Sequence, residues 1–97
     1  MADGLNFEWD EEKSRSNYVK HGVTFDEACT VFADPLALFI ADPDHSAPND
    51  ERFILLGESA SPRLVVVVFV ERDETTMRII SARKATPSER RRYEEGI

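Results

Sequence analysis

The chain has 97 residues, 41% hydrophobic and 32% charged, a composition typical of one soluble globular domain with a single modest core. No apolar run is long enough to cross a bilayer and no apolar leader segment follows Met1, so we expect a cytoplasmic protein without membrane contact. A single cysteine, Cys29, excludes an internal disulfide, and the two histidines lie too far apart for a zinc site. We therefore expect one domain over residues 1–97 with neither a metal nor a cofactor.

Charge is unevenly distributed along the chain. The net charge of −7, taken alone, argues against a nucleic-acid ligand. However, residues 1–50 carry eleven acidic and three basic side chains, whereas residues 78–92 carry six basic side chains and one acidic one. Two interpretations are open: the basic end binds a polyanion and the acidic end a basic partner, or the acidic half is only a solvated surface.

The first part of the chain predicts a short extended segment followed by a helix. Phe7-Glu8-Trp9 is apolar at alternate positions, which indicates a short strand or an extended lead-in. Asp10 is a suitable N-cap residue for the helix after it. The helix is expected to end at Lys20-His21, because cations suit the negative end of the helix dipole and Gly22 supplies a left-handed residue.

A second helix is predicted to begin directly afterwards. Thr24 and Glu27 have the spacing of a capping box, and Asp34-Pro35 ends the helix. Apolar side chains recur at intervals of three and four and predict one core-facing stripe, formed by Phe25, Ala28, Cys29 and Phe32.

The middle of the chain predicts a sheet. The unbroken β-branched and aromatic run Leu64–Val70 indicates a strand buried on both faces, and a polar turn after it predicts a hairpin with Met77–Arg83. Leu36–Ile40 and Arg52–Leu56 are two further predicted strands, separated by a loop over residues 42–50 that contains two prolines.

The last element is a predicted helix with a complete set of start signals. Thr86 is the N-cap, Pro87 takes the first helical position, Glu89 closes a capping box and Gly96 marks the end. The order of elements predicts an α+β fold with two N-terminal helices, an antiparallel sheet of three to four strands and a C-terminal helix. The helices are expected to be segregated against one sheet.

The sequence resembles the BrnT toxins over nearly its whole length. In the N-terminal part the matching residues are Phe7-Glu8-Trp9-Asp10, Lys13, Asn17, Lys20-His21-Gly22-Val23 and Phe25. In the remainder they are Asp44-His45, Glu51-Arg52-Phe53, Gly57, Arg78-Ile79-Ile80-Ser81-Ala82-Arg83-Lys84-Ala85, Glu89 and Tyr93. The resemblance implies a RelE-like ribonuclease fold and membership of a type II toxin–antitoxin system. It also implies neutralisation by a BrnA-type antitoxin with a ribbon-helix-helix DNA-binding region, so that operator DNA is bound only through the antitoxin.

Metal-independent RNA cleavage needs cations around the phosphate, a group that activates the 2′-hydroxyl and an acid for the departing 5′-oxygen. Strand alternation predicts that Arg78, Ile80, Ala82 and Lys84 share one face of their strand, and that Met77, Ile79, Ser81 and Arg83 share the other. Arg83 is the predicted phosphate clamp, because an arginine fork is bidentate and stays charged, with Arg78 and Arg52 in support. The alternative is that these arginines only pair with Glu51, Glu71 or Glu74 at the surface.

Proton transfer is predicted to involve His45, which lies in a loop among acidic residues that favour its charged form. Lys20 is either a further catalytic contact to phosphate or a solvated helix end. Four more side chains are predicted to bind substrate, namely Lys84, His21, Arg72 and Tyr93. For His21 the competing role is a helix cap, and for Tyr93 it is packing of the ring on the sheet.

A function of a different class stays open at this point. The sequence contains no paired carboxylates, nucleophile–base pair or metal cluster that would require an enzyme. A non-catalytic module whose basic patch binds nucleic acid or an acidic protein is therefore the alternative to a ribonuclease.

Overall fold

Five strands and three α-helices make up the part of the chain that the computed structural model describes, residues 4–41 and 51–96. The strands are β1 (Asn6–Glu8), β2 (Leu38–Ala41), β3 (Phe53–Glu58), β4 (Leu64–Glu71) and β5 (Thr76–Lys84). The helices are α1 (Glu11–His21), α2 (Phe25–Thr30) and α3 (Pro87–Glu95), and α2 continues into a short 3-10 helix, Val31–Ala33. The predicted α+β class is confirmed.

The sheet is mixed and has the strand order β1-β5-β4-β3-β2. Strands β2 to β5 pair antiparallel with their neighbours, whereas β1 pairs parallel with β5. The prediction of an antiparallel sheet of three to four strands is therefore corrected to a mixed sheet of five. The added strand has only three residues, and its partner is 70 positions further along the chain, so no local pattern could show the pairing.

The helices lie on both faces of the sheet, which corrects the expectation that they are segregated. Helices α1 and α2 cover one face, where the buried core contains Phe25, Val65, Val67, Phe69 and Ile79. Helix α3 lies across the other face, where Glu89 and Arg92 border the apolar side chains of β2, β3 and β4. The predicted burial on both faces is confirmed for the first half of β4, since Val66 on the α3 side is 2% exposed and Val67 on the α1 side is fully buried. Further along, Val68 and Val70 on the α3 side are half-buried.

The predicted helix ends agree with the structure except in one detail. Asp10 accepts a hydrogen bond from the Lys13 backbone N–H, and Gly22 adopts the left-handed conformation with φ 69°. The capping box of Thr86 and Glu89 is complete. At α2, Thr24 accepts from the Glu27 N–H, but the Glu27 carboxylate binds Arg63 and Ser59 instead of returning to the N-cap.

A β-bulge in β5 changes which side chains share a face. Val68 is paired with Ser81 and Phe69 with Ile79, so Ile80 is an extra residue between them. Because one inserted residue reverses the alternation, Met77, Ile79 and Ala82 all join the core beside α1 and α2. The predicted grouping by simple alternation is therefore wrong, and Arg78 and Arg83 lie on the same face, opposite that core.

A buried asparagine covers the outer edge of β5 where none of the described strands pairs with it. Strand β1 pairs with β5 only as far as Arg78. Further along, the Asn17 side chain donates to the carbonyl of Ala82 at 2.8 Å and accepts from its N–H at 3.1 Å. Its Nδ2 also donates to the carbonyl of Val23 at 2.9 Å. Asn17 thus takes the place of a strand residue and fixes α1 to β5.

Candidate functional site

Two of the predicted site arginines lie on the side of the sheet opposite α1 and α2. Strand β5 places Arg78, Ser81 and Arg83 there, with Arg78 opposite Val70 and Arg83 opposite Val66 on β4. We call this surface the arginine face. Arg52, the third predicted arginine, directly precedes β3 and is half buried.

Arg83 holds the start of α3 through a bidentate ion pair. Its Nη1 and Nη2 donate to Oε1 and Oε2 of Glu89, each at 2.8 Å. Hydrogen bonding from Arg83 lowers the pKa of Glu89 to about 2, and the carboxylate in turn raises the pKa of Arg83. The arginine side chain is nevertheless 42% exposed. The guanidinium of Arg83 therefore has a structural partner and is still accessible to solvent.

The ion pair predicts a pH dependence of stability. Because the pKa of Glu89 falls from 4.5 to about 2 on folding, its contribution is present above pH 4.5 and is lost as pH falls towards 2. Glu89→Gln retains a cap acceptor but no charge, and is expected to cost about 1 kcal/mol near neutral pH. Urea unfolding of both proteins between pH 7 and pH 2 should show this difference shrinking below pH 4.5. A difference that stays constant with pH would contradict the assignment.

Arg78 and Arg72 share one carboxylate. Arg78 Nη1 lies 2.9 Å from Oε2 of Glu8, and Arg72 Nε lies 3.8 Å from the same atom. The alternative considered from the sequence, in which the arginines pair with acidic residues, is thus found at both Arg78 and Arg83. Their partners are Glu8 and Glu89 rather than Glu51, Glu71 or Glu74.

Tyr93 anchors the far end of α3. Its hydroxyl donates to Oδ2 of Asp34 at 2.7 Å, and this bond raises the pKa of Tyr93 to about 12. The same oxygen accepts from the Glu58 N–H. None of the residues in α3 is buried, so polar contacts at Glu89 and Tyr93 hold the helix over the sheet. Between them lies an apolar cleft of about 320 Å³ lined by Ile40, Ile54, Leu56, Val66, Glu89 and Arg92.

A second cleft, which is polar, lies between α1 and the bulged part of β5. It has a volume of about 200 Å³ and is lined by Lys13, Ser16, Asn17, Lys20, His21, Ile80 and Ser81. We call it the α1 cleft. It contains two of the predicted site residues, Lys20 and His21. Sequence reasoning overlooked Lys13 and Ser16, although intervals of three, four and seven between Lys13, Ser16 and Lys20 are a helical signal for one shared face.

Two further predicted site residues are Lys84 and His45. Lys84 is exposed and is paired opposite Val65, on the side of the sheet that carries α1 and α2. His45 lies outside the described residues. The structure thus brings together Arg78 and Arg83 on one surface and Lys20 and His21 on another.

Residues 4–41 and 51–96 also show features that bear on metal binding, membrane insertion and thiol chemistry. No group of three or more His, Cys, Asp or Glu side chains there is arranged to hold a metal ion. None of the helices in that part of the chain has the length and apolar character needed to span a bilayer. Burial raises the pKa of the Cys29 thiol to about 12, which disfavours the reactive thiolate.

Comparisons with known proteins converge on one family. The family model for the ribonuclease toxin BrnT of type II toxin–antitoxin systems matches residues 9–89. Among solved structures, the 1.1 Å crystal structure of the Brucella abortus ribonuclease toxin BrnT is similar, with a TM-score of 0.66 and 23% sequence identity. That match covers 84% of this chain and 97% of the Brucella chain. A comparison with curated proteins found no match.

Proposed function

Because the chain belongs to the BrnT family of ribonuclease toxins of type II toxin–antitoxin systems, we propose that it is a metal-independent endoribonuclease silenced by a BrnA-type antitoxin. The observation that carries the catalytic proposal is the bulge in β5. It places Arg78 and Arg83 on one solvent-facing surface, on either side of Ser81. Two guanidinium groups there can neutralise a phosphate as negative charge develops on it.

In the proposed reaction the 2′-hydroxyl of the RNA gives its proton to water as its oxygen attacks the adjacent phosphorus, and the bond from phosphorus to the 5′-oxygen breaks. The products are a 2′,3′-cyclic phosphate and a free 5′-hydroxyl. Arg83 is the phosphate clamp: its terminal nitrogens bind Glu89, and Nη1 also donates to the carbonyl of Lys84 at 3.4 Å. Its Nε–H and the second Nη2 hydrogen are the donors for a phosphate. Arg78 and Arg52 support it, and His45 is proposed as the acid that protonates the 5′-oxygen.

The remaining predicted residues have a more distant role in this proposal. Lys20 and His21 lie in the α1 cleft and contact the RNA backbone beyond the reacting phosphate. Arg72 adds charge beside Arg78, and Tyr93 orients α3 through Asp34. Lys84, opposite Val65, is a peripheral contact.

Cleavage of RNA by the purified protein is expected to continue in EDTA, because arginine side chains supply the positive charge at the phosphate. The measurement is the appearance of cleaved products from a single-stranded RNA with EDTA and with Mg²⁺. An Arg83→Ala protein purified in parallel controls for contaminating ribonucleases. Activity that disappears in EDTA and returns with Mg²⁺ would contradict metal independence. RNA binding without cleavage would instead support a non-catalytic module.

The proposed antitoxin has an available docking edge. Within the described residues strand β2 pairs with β3 alone and forms the outer edge of the sheet, as expected for an open edge strand. Leu36, just before β2, is 71% exposed, and Phe39 within it is 57% exposed. We propose that a segment of the antitoxin extends from this edge to the arginine face.

Binding of the antitoxin is expected to slow as salt concentration rises, because the basic surface accelerates encounter with an acidic segment. In gel shifts with operator DNA, toxin alone should bind poorly owing to its net charge of −7, and the complex should bind through the ribbon-helix-helix region of the antitoxin. Chemical modification of Arg78 and Arg83 should decrease in the complex. Tight operator binding by toxin alone, or equal modification of the arginines in both states, would contradict this arrangement.

A further inference from the structure

We infer that the α1 cleft is a second phosphate-binding subsite, which holds the backbone of single-stranded RNA next to the phosphate bound at the arginine face. The inference rests on the proposed function for its ligand. It adds Lys13, Ser16 and Ser81 to the residues that contact substrate. The ligand class is the phosphodiester backbone itself, without selection among bases.

The position of the cleft follows from where β1 ends. Strand β1 leaves β5 after Arg78, and α1 passes beside the outer edge of β5 from there on. The hydrogen bonds of Asn17 to Ala82 hold the helix in place. The cleft is therefore formed before any ligand binds, which reduces the entropy lost on binding.

The charge of the cleft fits an anion. Its lining contains two lysines and a histidine but no carboxylate. Within the described part of the chain, Lys20 and His21 form no ion pair with any acidic side chain. This local surplus of positive charge occurs in a chain whose net charge is −7, so the average charge of the protein surface does not account for it.

Helix capping accounts for only part of this arrangement. Lys20 and His21 lie in the last turn of α1, where the helix dipole favours cations. Lys13, however, lies in the first turn, where the same dipole disfavours a positive charge. It lies seven residues from Lys20, about 10 Å along the helix axis, and both side chains line the same cleft. Hydrogen bonding from the Lys13 backbone N–H, with a smaller contribution from the charge of Lys13, lowers the pKa of the nearby Asp10 at the N-cap. A phosphate held between Lys13 and Lys20 would use the same charge from the side of the cleft.

The α1 cleft is continuous with the arginine face at a single residue. Ser81 lines the cleft and also lies between Arg78 and Arg83 on β5. The bulge at Ile80 thus brings the two surfaces together around the edge of one strand. An RNA strand that crosses β5 at Ser81 has one phosphate at the arginines and a neighbouring phosphate between the α1 lysines. The serine hydroxyl is a donor available to either.

The test is binding of a short single-stranded 2′-O-methyl RNA, which cannot be cleaved through its 2′-oxygen, measured by fluorescence anisotropy over a series of salt concentrations. The double variant Lys13→Ala/Lys20→Ala is expected to bind at least tenfold more weakly. Its slope of log affinity against log salt should decrease by about 1.4, since each lost phosphate contact to a single strand contributes about 0.7. The matched control is Arg15→Ala, which removes one charge from an exposed position of the same helix outside the cleft.

With cleavable RNA, Lys13→Ala alone should raise KM and leave kcat unchanged. An unchanged salt slope in the double variant, or an equal effect per charge in Arg15→Ala, would overturn the subsite. Failure of the wild type to cleave RNA would instead refute the proposed function, while the binding slopes would still decide whether the cleft holds phosphate. Both lysines are exposed, and circular dichroism of each variant confirms that a lost contact is not lost folding.

Discussion

Replacing Arg83 by Ala is expected to reduce RNA cleavage by about 10²–10³-fold, the usual cost of removing one preorganised donor to developing negative charge. The protein should stay folded. The ion pair with Glu89 is 42% exposed on the arginine side, so its loss should cost about 1 kcal/mol of a total stability of roughly 5–15 kcal/mol. Cleavage rates at saturating RNA and urea unfolding measure the two effects separately.

The Arg83–Glu89 ion pair itself provides the matched control. Glu89→Gln removes the same ion pair but leaves the guanidinium in place and the cap of α3 intact. If Arg83 binds the phosphate, the Glu89→Gln protein should cleave RNA at least as fast as the wild type, because no carboxylate competes with the phosphate for the guanidinium of Arg83. If the two variants lose activity equally, the function of Arg83 is to hold α3. Full activity in Arg83→Ala would place the clamp at Arg52 or Arg78.

The largest effect on stability is expected at Asn17. Asn17→Ala leaves the N–H and carbonyl of Ala82 and the carbonyl of Val23 without the partners that they have in the wild type. Each of these three unsatisfied buried groups costs about 1–3 kcal/mol, so the free energy of unfolding should decrease by at least about 3 kcal/mol. For a domain of this size the melting temperature should fall by roughly 12 °C or more.

The control for Asn17 is its neighbour Ser16, which lines the same cleft but is exposed. Ser16→Ala should change the free energy of unfolding by less than about 0.5 kcal/mol. Asn17→Asp keeps the size and one acceptor oxygen but cannot donate to the two carbonyls. It is expected to be nearly as destabilising as Asn17→Ala at neutral pH. A change of less than about 1 kcal/mol in Asn17→Ala would mean that water replaces the side chain at the edge of β5.

The features that could be predicted from the sequence are those decided by a few neighbouring residues. Asp10, Gly22 and Thr86 mark helix ends through hydrogen bonds that span four residues or fewer, so the local pattern contains all the information. The burial of Leu64–Val70 was likewise visible in its composition. These signals established the order of the main elements and the α+β class.

The features that could not be predicted depend on residues distant in the chain. Asn17 pairs with Ala82, 65 positions away, and Arg78 pairs with Glu8, 70 positions away. Neither partner is recognisable without the parallel pairing of β1 with β5. The bulge at Ile80 was equally hidden, because Arg78–Lys84 reads as a regular strand and only the register with β4 shows the extra residue. As a result the sequence predicts Arg83 and Arg78 in one site but on opposite faces, whereas the structure places them on the same face.

The bulge has a consequence for how the length of this chain can vary. Deletion of Ile80 would remove the bulge and leave Ser81 opposite Val68, Ala82 opposite Val67 and Arg83 opposite Val66, as they are now. The core side chain and the arginine would therefore keep their faces. Insertion of a further residue elsewhere in β5 would instead exchange the faces of all residues beyond it. Over evolutionary time β5 can therefore lose its residue at position 80 far more readily than it can gain one elsewhere.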